Sequence, residues 1–163
     1  MDPKTLQHQF GVTHFVVQRN MEGISHAESL VRPQAAGSSV NWVLGHIVRT
    51  RNQTLSLLGA KPLYPDDMFS AYGERDTPVG EDEALPVARL LDCFDALQAP
   101  LMEGLGTATA GALSAAAPFS PTGDPNETIG SLLAATTFHE AYHAGQLGLL
   151  RRVLGMGGAN YRP

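Results

Sequence analysis

The sequence predicts an all-α fold, a four-helix bundle with long connecting loops. Three observations support this fold class. Four segments repeat apolar residues at spacings of three and four, the period of a helix with one buried face. The connections between them are rich in glycine and proline, and no segment shows the strict alternation or turn pairs of a hairpin. Since 163 residues suit one ordinary domain and not two, we expect residues 1–163 to form a single domain.

The composition excludes several classes of function. The chain has 11 Lys and Arg against 16 Asp and Glu, a net charge of −5, so binding of nucleic acid through a basic surface is not expected. No apolar run resembles a secretory signal or a membrane span, which favours a cytoplasmic protein. Cys93 is the single cysteine, so an intrachain disulfide or a Cys-rich zinc module is excluded. Any metal must therefore be bound by imidazoles and carboxylates, and six histidines are available.

The first two helices are predicted from periodicity and from capping residues. The first extends from Pro3 to about Glu28. The second extends from about Val40 to Leu58, with Ser38 or Ser39 as its N-cap and Gly59 as its stop. The face that the second helix buries is expected to comprise Val40, Val43, Ile47, Thr54 and Leu58.

A long connection, Ala60 to Asp82, separates the second helix from the third. Prolines and glycines break it up, although Asp66 to Tyr72 can hold a helical turn. Long loops in compact domains often wall a site, so this one is predicted to line a substrate pocket. Its predicted aromatic contacts with the substrate are Tyr64, Phe69 and Tyr72.

The third helix is predicted to open near Glu83, with Pro86 in its first turn. Cys93 lies beside its apolar stripe and is expected to be an inert, half-buried thiol. A loop is predicted from Gly104 to Gly123. The stripe of the third helix comprises Val87, Leu90, Phe94, Leu97, Leu101 and Leu105.

The fourth helix carries the most informative pattern in the sequence. It is expected to begin after a cap at Asp124 or at Thr128, to run to about Leu154, and to end at Gly155. Its predicted core seam is apolar at both ends and polar in the middle. The seam comprises Ile129, Leu132, Thr136, His139, His143, Gln146, Leu150 and Val153.

Two histidines in this seam predict a metal site. His139 and His143 are four residues apart, so their imidazoles project from adjacent turns on one side and can bind the same divalent ion. His46 is the best third ligand, because it lies on the predicted inner side of the second helix. Gln146 is expected to orient a histidine or a water, or to bond a facing helix. Ordinary surface or core-edge positions are expected for His8, His14 and His26, with a reserve ligand or a group that supports a ligand as the alternatives for His14.

The segment His139 to His143 also matches the H-E-x-x-H pattern of zinc peptidases, in which the glutamate is the general base. The third zinc ligand of those enzymes usually lies downstream of the motif. No His, Asp or Glu follows His143 in this sequence, so a metallopeptidase is the weaker alternative.

Two motifs make the chain resemble the DinB/YfiT-like superfamily of small four-helix metalloenzymes. They are Asn-Trp-Val-Leu-Gly-His-Ile at 41–47 and His-Glu-Ala-Tyr-His-Ala-Gly-Gln at 139–146, and the lead-in Leu30 to Pro33 also fits. The resemblance implies a metal, usually zinc or nickel, held by His46, His139 and His143, and a homodimer. Its characterised members include S-transferases that use thiols such as bacillithiol or mycothiol, glutathione-dependent isomerases, and hydrolases.

Three neutral imidazoles leave a divalent ion with open positions and its full charge, the arrangement of a catalytic site. We therefore expect a metal-dependent enzyme that activates a low-molecular-weight thiol or water for attack on a small electrophilic substrate. Glu140 is the candidate acid or base, with a solvent-facing or dimer-facing position as the alternative. A non-catalytic metal-binding or ligand-binding bundle remains open. An arginine cluster, either a carboxylate-recognition site or solvated helix ends, comprises Arg49, Arg51, Arg151 and Arg152.

Overall fold

A computed structural model describes residues 2–33, 37–73 and 79–159, and its helical architecture confirms the predicted all-α fold class. A 3₁₀ segment, Asp66–Tyr72, confirms the helical turn expected inside the long connection. None of the described helices is both long and apolar enough to cross a membrane. The α-helices are α1 (Pro3–Met21), α2 (His26–Ser29), α3 (Val40–Leu57), α4 (Val87–Thr107), α5 (Ala110–Ser114) and α6 (Ile129–Val153).

The four long helices pack as a bundle in which α1 and α3 each contact both α4 and α6. Every residue of the predicted α4 stripe is buried, and so are the first four residues of the predicted α3 face. Leu58, the last residue of that face, is only half-buried because it caps the end of α3. Cys93 is fully buried and not half-buried as expected, since it faces the same core as Leu90 and Leu97.

The prediction of a first helix reaching Glu28 is wrong, because α1 ends at Met21. Gly23 has a φ of 74°, a left-handed conformation that breaks the helix and that glycine adopts without strain. Ser25 then caps the separate helix α2 and forms a reciprocal capping box with Glu28. Local capping therefore overrides the apolar spacing that continues to Ile24.

Helix α4 starts and ends later than predicted. It begins at Val87 and not near Glu83, because Pro86 is extended, with a ψ of 133°. It continues to Thr107 through Pro100, and α5 follows, so the loop predicted from Gly104 to Gly123 is partly helical. A proline inside a helix costs about 3 kcal/mol, whereas burying each leucine contributes about 1.5–3 kcal/mol. The flanking leucines of the stripe therefore keep this helix continuous.

The structure distinguishes between the alternative N-caps that the sequence offered for α3 and α6. Ser39 caps α3 by accepting the Trp42 backbone N–H, and Thr128 caps α6 in a reciprocal box with Ser131. The alternative start of α6 at Asp124 is wrong. Beyond the C-terminal ends, Gly59 and Gly155 have φ values of 75° and 78°, which confirms them as the stops. Both ends of the helices that carry the histidines are therefore fixed by local sequence.

Removing the α3 cap tests this assignment. We expect Ser39→Ala to lower the free energy of unfolding by about 1 kcal/mol, since the Trp42 N–H loses its acceptor. Urea denaturation at neutral pH measures the change. Ser38→Ala is the matched control and is expected to stay close to wild type. Equal losses in the two variants would contradict the assignment of Ser39 as the cap.

Candidate metal centre

The structure brings together the three histidines that the sequence singled out. The Nε2 atoms of His46 on α3 and His139 on α6 are 3.2 Å apart, and those of His139 and His143 are 3.0 Å apart. One ring nitrogen from each of the three lies within 4.8 Å of the others. His143 is buried and the other two are half-buried. The cluster thus lies at the edge of the core, between α3 and α6.

Its position at the edge follows from the register of α6. The predicted seam is only partly buried: Leu132, Thr136, His143 and Leu150 are buried, while Ile129, His139 and Gln146 are half-buried. The prediction that Val153 is inward is wrong, because it is 51% exposed. The most buried line of α6 lies further around the helix, so the histidines form one flank of the buried face. That line comprises Leu133, Thr137, Glu140, Ala144 and Leu147.

Hydrogen bonds at the far side of two rings fix their tautomers. His46 Nδ1 lies 2.8 Å from the Tyr72 carbonyl oxygen, which can only accept, so this nitrogen carries the proton. His143 Nδ1 lies 2.7 Å from Gln146 Oε1 and donates in the same way. Gln146 therefore orients a histidine, which is one of its three expected roles. In both rings the Nε2 atom retains its lone pair and faces His139.

These donors fit a divalent metal ion. Lone pairs grouped this closely repel each other unless a cation shares them. Two imidazole nitrogens bound to one tetrahedral ion at 2.0–2.1 Å are about 3.3 Å apart, close to the separations of 3.0 and 3.2 Å observed here. Within the described part of the chain, no carboxylate or thiol joins the group. Three imidazoles leave coordination positions for a small molecule.

The 41–47 motif supplies the surroundings of His46. Trp42 stacks on the His46 ring, with the centroids 4.9 Å apart and the planes 9° from parallel. Asn41 accepts the Tyr72 hydroxyl at 3.0 Å, which anchors the residue whose carbonyl holds His46. A Cβ at Gly45 would overlap the Tyr72 ring, so glycine permits this close approach. Each distinctive residue of the motif therefore contributes to orienting one imidazole.

The aromatic residues of the long connection are not the pocket wall that we expected. Phe69 and Tyr72 are fully buried, and Tyr64 is half-buried with its ring edge-on to Phe69. Their apolar rings stabilise the fold more by completing the core beside α3 than by facing a ligand. Residues 74–78 of the connection lie outside the described residues.

Glu140, the candidate acid or base, is buried in an ion pair, so the alternative of a solvent-facing or dimer-facing side chain is wrong. It is 2% exposed. Arg51 binds it bidentately: Nε donates to Oε2 and Nη2 donates to Oε1, each at 2.7 Å. The Thr13 hydroxyl also donates to it. Both oxygens are therefore engaged by groups on α1 and α3.

Arg51 is fully buried, so it belongs neither to a carboxylate-recognition cluster nor to a solvated helix end, and Arg152 is exposed at the end of α6 as the second alternative expects. Its Nη1 donates to Gln98 at 2.7 Å, and its guanidinium carbon lies 4.1 Å from the centroid of the Phe94 ring. Arg151 instead donates to backbone carbonyls near the end of α1, including that of Asn20. Arg51 repeats the buried α3 spacing set by Leu44, Val48 and Leu55, the signal that could have placed it inside.

The other three histidines lie apart from the cluster. His8 is exposed, and His26 Nδ1 accepts the Val87 backbone N–H. His14 stacks on Phe94, and its Nδ1 lies 3.1 Å from Arg51 Nη1. His14 thus contacts the partner of Glu140 and does not join the metal-binding group among the described residues. The expected ordinary positions are therefore found, at the surface for His8 and at the core edge for His14 and His26.

The surroundings of His14 give the fold a pH dependence. Burial, and secondly the nearby Arg51 charge, lower the pKa of His14 below 6.5, against opposing contributions from Asp95 and Glu140. The unfolded chain therefore binds this proton at higher pH than the folded one. Stability is fully present above about pH 6.5 and decreases as pH falls from there towards the lower folded-state pKa.

We expect His14→Gln to weaken this acid sensitivity. The free energy of unfolding, measured in urea at about pH 7.5 and about pH 5.5, should fall less in the variant than in wild type, because one proton uptake on unfolding is removed. His8→Gln is the matched control, since His8 is exposed, and should retain the wild-type difference. An unchanged difference in His14→Gln would contradict the assignment.

Comparison with known proteins identifies the family to which the chain belongs. No curated protein matches the chain. A crystal structure of a conserved protein from Enterococcus faecalis is similar in fold, with a TM-score of 0.76 and 19% sequence identity, covering 93% of this chain and 95% of that one. A family model for the DinB superfamily matches residues 15–147, which include all three clustered histidines. The chain belongs to the DinB superfamily.

Proposed function

We propose that the protein is a metal-dependent enzyme whose ion, zinc or nickel, is held by His46, His139 and His143. The observation that carries the proposal is the convergence of three Nε2 atoms from two helices, with 3.0 and 3.2 Å between neighbours. The substrate in this proposal is a small electrophile, attacked by a low-molecular-weight thiol or by water. A metal-binding role fits the superfamily and the cluster together.

The chain's own residues would present the ligand nitrogens and keep them in place. The Tyr72 carbonyl and Gln146 hold the Nδ1 protons of His46 and His143, which makes each Nε2 a better donor to a cation. Trp42 shields one face of His46. A bound divalent ion supplies a charge that lowers the pKa of a thiol or water, so that a nucleophile exists at neutral pH.

Glu140 has a different role in this proposal from the acid or base that the sequence suggested. A general base needs an oxygen within reach of the substrate proton, and both Glu140 oxygens are bonded to buried groups. The H-E-x-x-H peptidase mechanism depends on that glutamate. The ion pair therefore favours a small-molecule reaction over peptide hydrolysis.

We also propose that the protein forms a homodimer through the outer side of α6. Glu140 is the only charged residue from Ile129 to Leu150, and it is buried. Along α6, Phe138 and Tyr142 come before Gly145, and Leu149 and Val153 come after it. A two-fold axis near Gly145 would thus pair an apolar stripe with itself. The stripe comprises Phe138, Tyr142, Leu149 and Val153, which are 75%, 58%, 63% and 51% exposed.

Size-exclusion chromatography with light scattering tests whether the protein is a dimer. Wild type is expected to elute as a dimer and Leu149→Glu as a monomer, because the charge would be desolvated at the contact. Val31→Glu is the matched control, since Val31 is similarly exposed, at 49%, but lies outside α6. A monomeric wild type would contradict the proposed interface.

The reaction class is tested with metal-loaded and metal-stripped protein, a panel of thiols and an electrophilic acceptor. The panel contains bacillithiol, mycothiol and glutathione. Turnover that requires both metal and thiol supports S-transfer, and turnover that requires metal alone supports hydrolysis. Stoichiometric metal binding without turnover would favour the second candidate, a non-catalytic metal-binding bundle. The cytoplasmic location and the absence of a nucleic-acid partner stay predictions.

A further inference from the structure

We propose that Arg51 and Glu140 form a clamp that sets the register of α6 against α3 and thereby holds the three histidines in their geometry. In this inference both are positioning residues and neither reacts. The inference rests on the proposed metal centre for its effect on metal affinity, while its effect on the histidine geometry stands without metal.

The clamp and the histidine cluster join the same two helices at neighbouring levels. Arg51 follows His46 by five residues on α3, a rise of about 7.5 Å. Glu140 is adjacent to His139 on α6. Two cross-links at different heights fix both the sliding and the rotation of one helix against the other. Without the clamp, α6 could shift its register by one residue. Such a shift combines a small translation with a rotation of about 100°, which would turn the imidazoles away from His46.

The geometry of the pair makes it a rigid reference. The guanidinium fork meets the carboxylate with two N···O distances of 2.7 Å, which fixes direction as well as distance. Arg51 is further held by Gln98 on α4 and by the Phe10 carbonyl on α1, at 2.7 and 3.3 Å. The Thr13 hydroxyl on α1 donates to Glu140. The clamp is thus anchored in all four long helices.

A role in positioning can be separated from a role in stability. Replacing both members of a buried ion pair by apolar residues of similar size often leaves stability unchanged or raised, because the desolvation cost of the charges disappears. Such a replacement also removes the directional fork. If the pair serves only stability, the histidine geometry should survive the replacement, and if it is a clamp, that geometry should change.

The test compares wild type with the paired variant Arg51→Met, Glu140→Leu. We expect the variant to remain folded, its zinc dissociation constant to rise about 10-fold, the lower end of what loss of a direct outer-shell support costs, and its cobalt-substituted visible spectrum to change. Leu105→Ala is the control, because it opens a cavity in α4 two helical turns, about 10.5 Å, beyond Gln98, the α4 residue bonded to Arg51. It should lose stability and keep the wild-type zinc affinity and cobalt spectrum.

Crystal structures without metal give the independent measurement. The paired variant should show the His46 and His139 Nε2 atoms beyond hydrogen-bond reach, in contrast to the 3.2 Å seen here. An unchanged separation, or wild-type zinc affinity with a wild-type cobalt spectrum, overturns the clamp. If wild type itself binds no metal, the proposed function fails, and the metal-free separation alone decides the clamp.

A second variant covers the case in which the paired variant does not fold. Arg51→Lys retains the positive charge and removes the planar fork. We expect its zinc dissociation constant to rise about 10-fold, since one supporting contact loses its direction. A wild-type zinc dissociation constant in Arg51→Lys would overturn the clamp.

Discussion

Replacing Glu140 with alanine is expected to lower the free energy of unfolding by about 3–5 kcal/mol, because it leaves an uncompensated charge in the core. Arg51 is fully buried, so water cannot take the place of the lost carboxylate without opening the bundle. The Thr13 hydroxyl would keep only the Phe10 carbonyl as an acceptor. Urea denaturation at neutral pH measures the change.

The control for this variant is Glu103→Ala on α4. Glu103 is exposed, so its removal should change stability by about 0.5 kcal/mol or less. The paired variant Arg51→Met, Glu140→Leu should recover most of the loss caused by Glu140→Ala, since the two sites are in contact and their effects are not additive. A loss below about 1 kcal/mol in Glu140→Ala would contradict a buried, charged pair.

The second large effect concerns the ligand histidines. We expect His46→Ala to raise the zinc dissociation constant more than about 100-fold, because outer-shell supports alone are worth about 10–100-fold. His139→Ala and His143→Ala should behave alike. Trp42 is the only tryptophan and stacks 4.9 Å from His46, so its fluorescence can follow titration with nickel and competition with zinc.

His8→Ala is the matched control for the titrations, because His8 is an exposed histidine on α1. Its dissociation constant should equal that of wild type. The ligand assignment would be contradicted by wild-type affinity in any one of the three cluster variants. A fluorescence change that is lost in His46→Ala but kept in His8→Ala locates the ion beside Trp42.

Features encoded by short stretches of sequence could be predicted. The α4 stripe follows the helical period, and the caps at Ser39 and Thr128 need only a hydroxyl at the right position. The histidine cluster could also be anticipated, because His139 and His143 lie on one side of a single helix. To predict His46 as the third ligand, it was also necessary to predict which side of the second helix faces inward.

Features that depend on tertiary contacts could not be predicted in the same way. Arg51 and Glu140 are separated by 89 residues, and charged residues are usually exposed unless they are paired. Nothing local identifies the partner. The acceptor that fixes His46 is a backbone carbonyl, that of Tyr72, which carries no signal in its residue type. The end of α1 was missed because Gly23 and Ser25 compete locally with a continuing apolar pattern.

The metal content of purified, metal-replete protein tests the central claim most directly. Elemental analysis should find about one equivalent of zinc or nickel in each wild-type chain, as expected for a single site of three imidazoles. Variants that lack His46, His139 or His143 should have lost most of it. A wild-type protein without stoichiometric metal, or His46→Ala with the full complement, would contradict the three-histidine centre.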